Sequence, residues 1–297
     1  MLEILNLSKS YQGSLVLKNV NLSIKKGMFG LLGPNGAGKS SLMRTVATLQ
    51  AADSGTIEFD GINVSKDAHQ IRQRLGYLPQ DFGVYPNISA FRLLDHLAAL
   101  KGFANKRQRK EAVTSLLVKT NLYEQRKKAV SSFSGGMKQR FGIAQALLGN
   151  PDLIIVDEPT AGLDPQERNR FYNLLCELAE DKVVVLSTHI VEDVSELCTE
   201  CAIMNRGEIV AQGSPANLIT YLNGRVWRGV VDKDALATLE KTYNVISKKR
   251  FAGDIIATII QTEQPEGFMP ATADLEDVYF ATLANAKDTM FHGSPLC

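Results

Sequence analysis

A chain of 297 residues is long enough for one large domain and a smaller one. Its 33 Lys and Arg against 32 Asp and Glu leave a formal net charge of +1, so no global field draws it to nucleic acid or acidic lipid. Four cysteines argue against a disulfide framework and fit a reducing cytosol. The opening Met1-Leu2-Glu3-Ile4 lacks the basic and apolar regions of a secretory signal. No apolar run approaches the ~20 residues that span a bilayer, so any membrane work is expected from outside it.

In chain order, residues 2–7 and 15–24 alternate as strands, with Lys9 to Gly13 between them as a turn presenting Tyr11. Met28 to Leu32 is a short apolar strand. It leads into Gly33-Pro34-Asn35-Gly36-Ala37-Gly38-Lys39-Ser40, which satisfies G-x-x-x-x-G-K-[ST], and Ser41 to Val46 opens a helix. In that setting the glycines let the backbone wrap a phosphate and the helix start adds partial positive charge. Lys39 is expected to reach the β- and γ-phosphates, and the Ser40 hydroxyl to take a Mg²⁺ position. Nucleotide binding follows. Residues 55–61 form a strand closed by Asp60-Gly61, a hairpin signal, and complete a small mixed sheet around the P-loop.

The character then changes. Ser89 is a candidate N-cap for a helix carrying Phe91, Leu94, Leu97 and Ala98. Ala112, Val113, Leu116 and Leu117 mark a second helix, and a third follows Ser134-Gly135-Gly136 with Phe141, Ala144, Leu147 and Leu148. Residues of about 82–150 read as a helical insertion, with Lys106 to Lys110 as one solvated helix face. Leu153-Ile154-Ile155-Val156 is a buried strand ending in Asp157 and Glu158. Asp157 at that edge is suited to holding Mg²⁺, and Glu158 to polarising an attacking water. Asp164-Pro165 starts a helix with Phe171, Leu174, Leu175 and Leu178 on its apolar stripe, and Val183 to Leu186 is another covered strand. Cys198 and Cys201 have CxxC spacing but no second pair, and read as small buried hydrophobes. A hairpin through residues 201–212 closes the domain. Beyond residue 224 the expected elements are strands at 226–231 and 254–261, helices at 235–241 and 275–283, and a loop at 264–272.

Phe133-Ser134-Gly135-Gly136-Met137-Lys138-Gln139-Arg140 resembles the ABC signature, and with the P-loop and the strand ending Asp157-Glu158 the chain looks like the ATP-binding subunit of an ABC transporter, in order from Tyr11 to about Gly213. Phe133 replaces the usual Leu and Met137 the commonest Gln, both at positions of packing or backbone. The resemblance implies an α/β P-loop NTPase of ABC type: a mixed sheet core with a helical subdomain (1–223, helices at about 82–150) and a small C-terminal α/β domain (224–297). It further implies that Ser134, Gly135 and Gly136 contact ATP in a second subunit, so that two ATP molecules are sandwiched head to tail. By the same likeness Gln80 is the Q-loop glutamine touching Mg²⁺ and the water, Asp164 belongs to the D-loop with Ala161 and Gly162, His189 is the switch histidine, and Tyr11 stacks on adenine. The expected activity is Mg-dependent ATP hydrolysis.

The implied partners are a second nucleotide-binding subunit, as homo- or heterodimer, and a separate integral-membrane permease, with no nucleic acid. The permease is expected to dock near residues 82–105, where Phe82 to Pro86 offers apolar side chains. The overall pattern, including Leu275 to Tyr279, is similar to bacterial export ATPases, which places the chain on the cytoplasmic face of the membrane as a peripheral subunit. Cargo lies beyond the motifs, because its site is in the other subunit. Two other classes compete: a soluble ABC ATPase acting on a non-transport partner, and a regulatory module in which the C-terminal segment senses a ligand.

Overall fold

The computed structural model describes residues 1–83, 85–160 and 163–284. Strand β1 (Leu2–Tyr11) runs antiparallel to β2 (Ser14–Ile24), and the connection is shorter than expected: pairing continues to Tyr11↔Ser14, leaving only Gln12 and Gly13. Both have positive φ (47° and 81°), the two-residue turn whose twist matches that of the strands. Register shifts between Leu7 and Ser10 break the alternation there, which is why residues 9–11 do not read as strand. The strand β3 (Gly27–Leu32) and helix α1 (Lys39–Val46) flank the P-loop. Next come β4 (Ser54–Phe59) and β5 (Ile62–Asn63), joined at Asp60-Gly61.

Helix α2 (Ala68–Arg74) and strand β6 (Leu75–Leu78) were not anticipated; four residues carry no readable period. Helices α3 (Ala90–Leu100), α4 (Lys106–Lys119) and α5 (Gly135–Ala146) form the insertion around a core of their own, with Leu94, Val113, Leu117 and Phe141. Ser89 caps α3 by accepting from Arg92 N at 3.4 Å. Along the basic run, Lys106, Arg107, Gln108 and Lys110 are solvated, whereas Arg109 turns inward to Asp95 at 2.7 Å.

The α/β alternation resumes with β7 (Leu153–Asp157), α6 (Pro165–Ala179), β8 (Val183–Thr188), α7 (Val191–Leu197), β9 (Glu200–Asn205), β10 (Glu208–Gly213) and α8 (Pro215–Thr220). The single sheet expected around the P-loop is two. β3 lies inside a six-stranded sheet of order β10-β9-β3-β8-β7-β6, and β2-β1-β4-β5 is a separate antiparallel sheet. Their apolar faces meet: Leu2, Ile4, Ile57 and Phe59 share one core with Phe29, Leu31, Ile155 and Val185. Parallel pairing of β3 with β8 and of β8 with β7 sets the carboxyl ends of these strands, and the loops that follow them, side by side.

The last segment holds β11 (Val226–Val231), α9 (Lys233–Thr242), β12 (Val245–Phe251), β13 (Asp254–Ile260), β14 (Met269–Pro270) and α10 (Leu275–Ala284). Strand β12 escapes the sequence reading because an edge position lets Lys248, Lys249 and Arg250 stay in water. The loop at 264–272 contains β14, pairing with Trp227 and Arg228. Helix α10 buries Val278 and Tyr279 in the core that also holds Leu197, Cys198 and Leu218.

Candidate functional site

The P-loop owes its shape to its glycines. Gly36 and Gly38 take φ of 80° and 107°, where a side chain is strained. A Cβ on Gly33 would stand 2.3 Å from the Met204 carbonyl oxygen, so only glycine lets the loop leave β3 against β9. The loop and the start of α1 wall a cavity of about 380 Å³, lined by Pro34, Asn35, Gly36, Ala37, Gly38, Lys39, Ser40 and Ser41, with Gln80 and Glu158 opposite.

Lys39 is 4 % exposed, and its ammonium donates to Gly33 O at 2.6 Å and Pro34 O at 3.2 Å. Burial pushes its pKa down, while the carboxylates of Glu158 and Asp157 pull it back up. Glu158 Oε1 lies 3.4 Å from Lys39 Nζ, and Oε2 is 2.6 Å from His189 Nδ1. Glu158 has φ of 51°, and its N–H donates to Ser187 O at 2.8 Å. A left-handed backbone at a non-glycine residue costs of order 1–3 kcal/mol, and here it accompanies a carboxylate aimed at the cavity. One carboxylate therefore joins the P-loop lysine to the residue that follows β8.

Asp157, paired with Ser187 between β7 and β8, is buried and does not line the cavity. Its Oδ1 finds no hydrogen-bond partner among the described residues. A buried carboxylate oxygen left over is a strong attractor for a hard cation or its waters. Among the described residues no group of three His, Cys, Asp or Glu could hold a metal by itself. The unpartnered Asp157 oxygen suits Mg²⁺, which is commonly held by one carboxylate, a hydroxyl, water and the phosphates themselves. Cys198 and Cys201 are buried in the main core, and burial pushes both thiols up, Cys201 to about 12.

The other candidates lie further out. Tyr11 does not line the cavity; its hydroxyl donates to Gln50 Oε1 at 2.5 Å, and Gln50 Nε2 donates to Ser41 O at 2.9 Å. The ring is thus tied to the helix behind the P-loop. Ser134 and Gly135 are exposed at the start of α5 and do not face the chain's own cavity, while Gly136 is buried against Glu167. Asp164 caps α6, accepting from Glu167 N at 2.8 Å; Ala161 and Gly162 lie outside the described residues. Of the expected docking loop, Tyr85 is exposed, Phe82 packs beside Gly142 of α5, and Val84 lies outside the described residues.

Two sets of contacts are not foretold by the motifs. Arg140 of α5 meets Glu167 of α6 at 3.2 Å, both side chains mostly buried. Asp193 on α7 is fully buried and accepts from four side chains. The available signal for it is an acid in a helix otherwise anchored by Val194 and Leu197.

The ABC transporter family model matches residues 17–161. The linearmycin resistance ATP-binding protein LnrL of Bacillus subtilis (strain 168) is 37% identical over 226 residues, covering 75% of this chain and 72% of that protein. The chain belongs to the ABC transporter ATP-binding proteins. The likeness to a Nod factor export ATP-binding protein I of Paraburkholderia xenovorans (strain LB400), at 32% identity, reaches 94% of this chain and 92% of that protein, so it extends into the C-terminal segment. Among solved structures, the dimeric bacterial ABC transporter cassette MJ0796 superposes with a TM-score of 0.66 at 28% identity, covering 72% of this chain and 98% of that one. The fold is that of an ABC ATPase cassette, a P-loop NTPase.

Proposed function

We propose that this ABC protein binds ATP with Mg²⁺ at the P-loop, hydrolyses it between two cassettes, and so drives export through a separate membrane permease from the cytoplasmic face. The observation that carries the reading is Glu158, buried beside the cavity with Lys39 on one oxygen and His189 on the other. In this reading Lys39 leaves its loop carbonyls to meet the β- and γ-phosphates, Ser40, Asp157 and Gln80 hold the Mg²⁺ sphere, and Glu158 takes the proton of the attacking water. His189 then contacts the γ-phosphate. Mg²⁺ supplies charge neutralisation of the phosphates.

Ser134 and the Gly135 and Gly136 amides point to a second copy, because Ser134 and Gly135 are exposed away from their own cavity, with Gly136 buried behind them, at a helix start suited to phosphate. The dimeric cassette among the similar structures supports that arrangement. Tyr11 serves adenine at the edge of the site, and Asp164 shapes the D-loop. A groove of about 640 Å³ where α1 ends, between β6 and α3, with Leu49, Tyr77, Leu97 and Leu100 on its walls, suits a helix of the permease. Export rests on relatives named for Nod factor export and linearmycin resistance.

The test is recovery of tagged Glu158→Gln protein with ATP in mild detergent from native membranes, beside phosphate release by the wild type. Co-purification of an integral-membrane protein, with wild-type turnover, supports the reading. Recovery of ribosomes or DNA instead, or absence of turnover, overturns it in favour of a non-transport ABC ATPase.

A further inference from the structure

We infer that Asp193 is a positioning residue that sets the switch histidine against the general base. Its carboxylate is fully buried, on the first turn of α7 and four residues after His189. Oδ2 accepts from Thr188 Oγ1 at 2.9 Å and from Thr160 Oγ1 at 2.8 Å. Oδ1 accepts from the Tyr172 hydroxyl and from the Arg168 guanidinium, both on α6. Thr188 Oγ1 in turn accepts from Ile190 N at 3.0 Å, so the residues on either side of His189 are fixed through one hydroxyl. Thr160 stands two residues after Glu158. Both partners of the 2.6 Å Glu158–His189 contact are therefore pinned, within two residues, to the same carboxylate.

Packing alone does not call for this arrangement. A buried ion pair is seldom better for stability than apolar residues of the same volume, and the carboxylate needs every one of its donors to lie in the core. What the charge provides is geometry: the end of β8, the segment that follows β7 and the first two turns of α6 share one acceptor, so none can shift without breaking bonds to the others. A reacting pair misplaced by about 1 Å loses on the order of a hundredfold in rate. Arg168 lies four residues beyond Asp164, so the same node joins the switch to the helix that follows the D-loop.

The inference rests on the hydrolytic reading and is tested on the full chain by phosphate release alongside titration with a fluorescent ATP analogue. Asp193→Asn keeps the shape but leaves Arg168 without its counter-charge. It is expected to lower kcat at least tenfold with the nucleotide Kd within twofold of wild type. Thr188→Val, which removes one hydroxyl and adds no charge defect, is expected to lower kcat in the same way, and Thr188→Ser to restore it. Equal kcat in wild type, Thr188→Val and Thr188→Ser overturns the inference, whether or not Asp193→Asn folds. Absence of turnover in the wild type overturns the hydrolytic reading itself.

Discussion

Glu158 and His189 meet through Oε2 and Nδ1 at 2.6 Å, although one ends the run from β7 and the other the run from β8. The contact exists because β7 and β8 are parallel neighbours, with Asp157 opposite Ser187, so the residues that follow each strand emerge side by side. The carboxylate is buried while the imidazole side chain is 43% exposed, so the Glu158 carboxylate is fixed and the histidine remains accessible from the solvent side.

His189→Ala removes the partner from Oε2 without touching the P-loop. Turnover is expected to fall by roughly 10²–10⁴-fold, the range of a positioned proton-handling group, with ATP affinity little changed. Single-turnover phosphate release beside equilibrium nucleotide binding measures both; an unchanged rate removes His189 from the reaction.

Gly136→Ala tests the seam between the signature helix and α6. The added Cβ would sit 2.7 Å from Glu167 Oε2, and Glu167 cannot simply swing away because Arg140 holds it at 3.2 Å. The nucleotide-free protein is expected to lose about 1–3 kcal/mol, as overpacked sites do. Thermal unfolding of the single variant and of Gly136→Ala combined with Glu167→Ala checks the cause: the second substitution recovers part of the loss. A double variant as unstable as the sum of the two singles would rule out this contact as the origin.

Asp277 gives a pH dependence. Burial holds its carboxyl above the usual 3.8, with the Asp274 N–H and Arg228 at 2.8 Å pulling the other way. The folded chain thus binds this proton more tightly than the unfolded one. The stability associated with the protonated form is present below the ordinary value and is lost as pH rises through the raised folded value. Asp277→Asn, whose side-chain carbonyl can still accept from Asp274 N, is expected to lose less stability than the wild type between pH 4 and pH 7. Melting temperatures across that range decide it, and parallel curves would show that Arg228 cancels the burial cost.

The P-loop, the strand ending Asp157-Glu158 and the signature segment were legible from residues alone, because each is a local requirement. A phosphate cradle needs glycine at fixed offsets, and a covered parallel strand needs an unbroken apolar run before its acids. Ser89 and Asp164 were legible as caps for the same reason: a cap acts within three residues. Helix α2 and the strands β6 and β12 were not, since their short or charged segments take their form from neighbours distant in the chain.

Sequence by itself located the P-loop, the strand that ends in Asp157 and Glu158, and the helical insertion between them. Tertiary structure alone decided that two sheets, not one, enclose the P-loop core, that Glu158 bridges Lys39 and His189, and that Asp193 collects Thr160, Arg168, Tyr172 and Thr188. The physical reason is separation along the chain. Local backbone geometry and hydrophobic period are written into adjacent residues, whereas these contacts join segments far apart in the chain, such as Lys39 with Glu158, which meet only when parallel pairing sets their strand ends together.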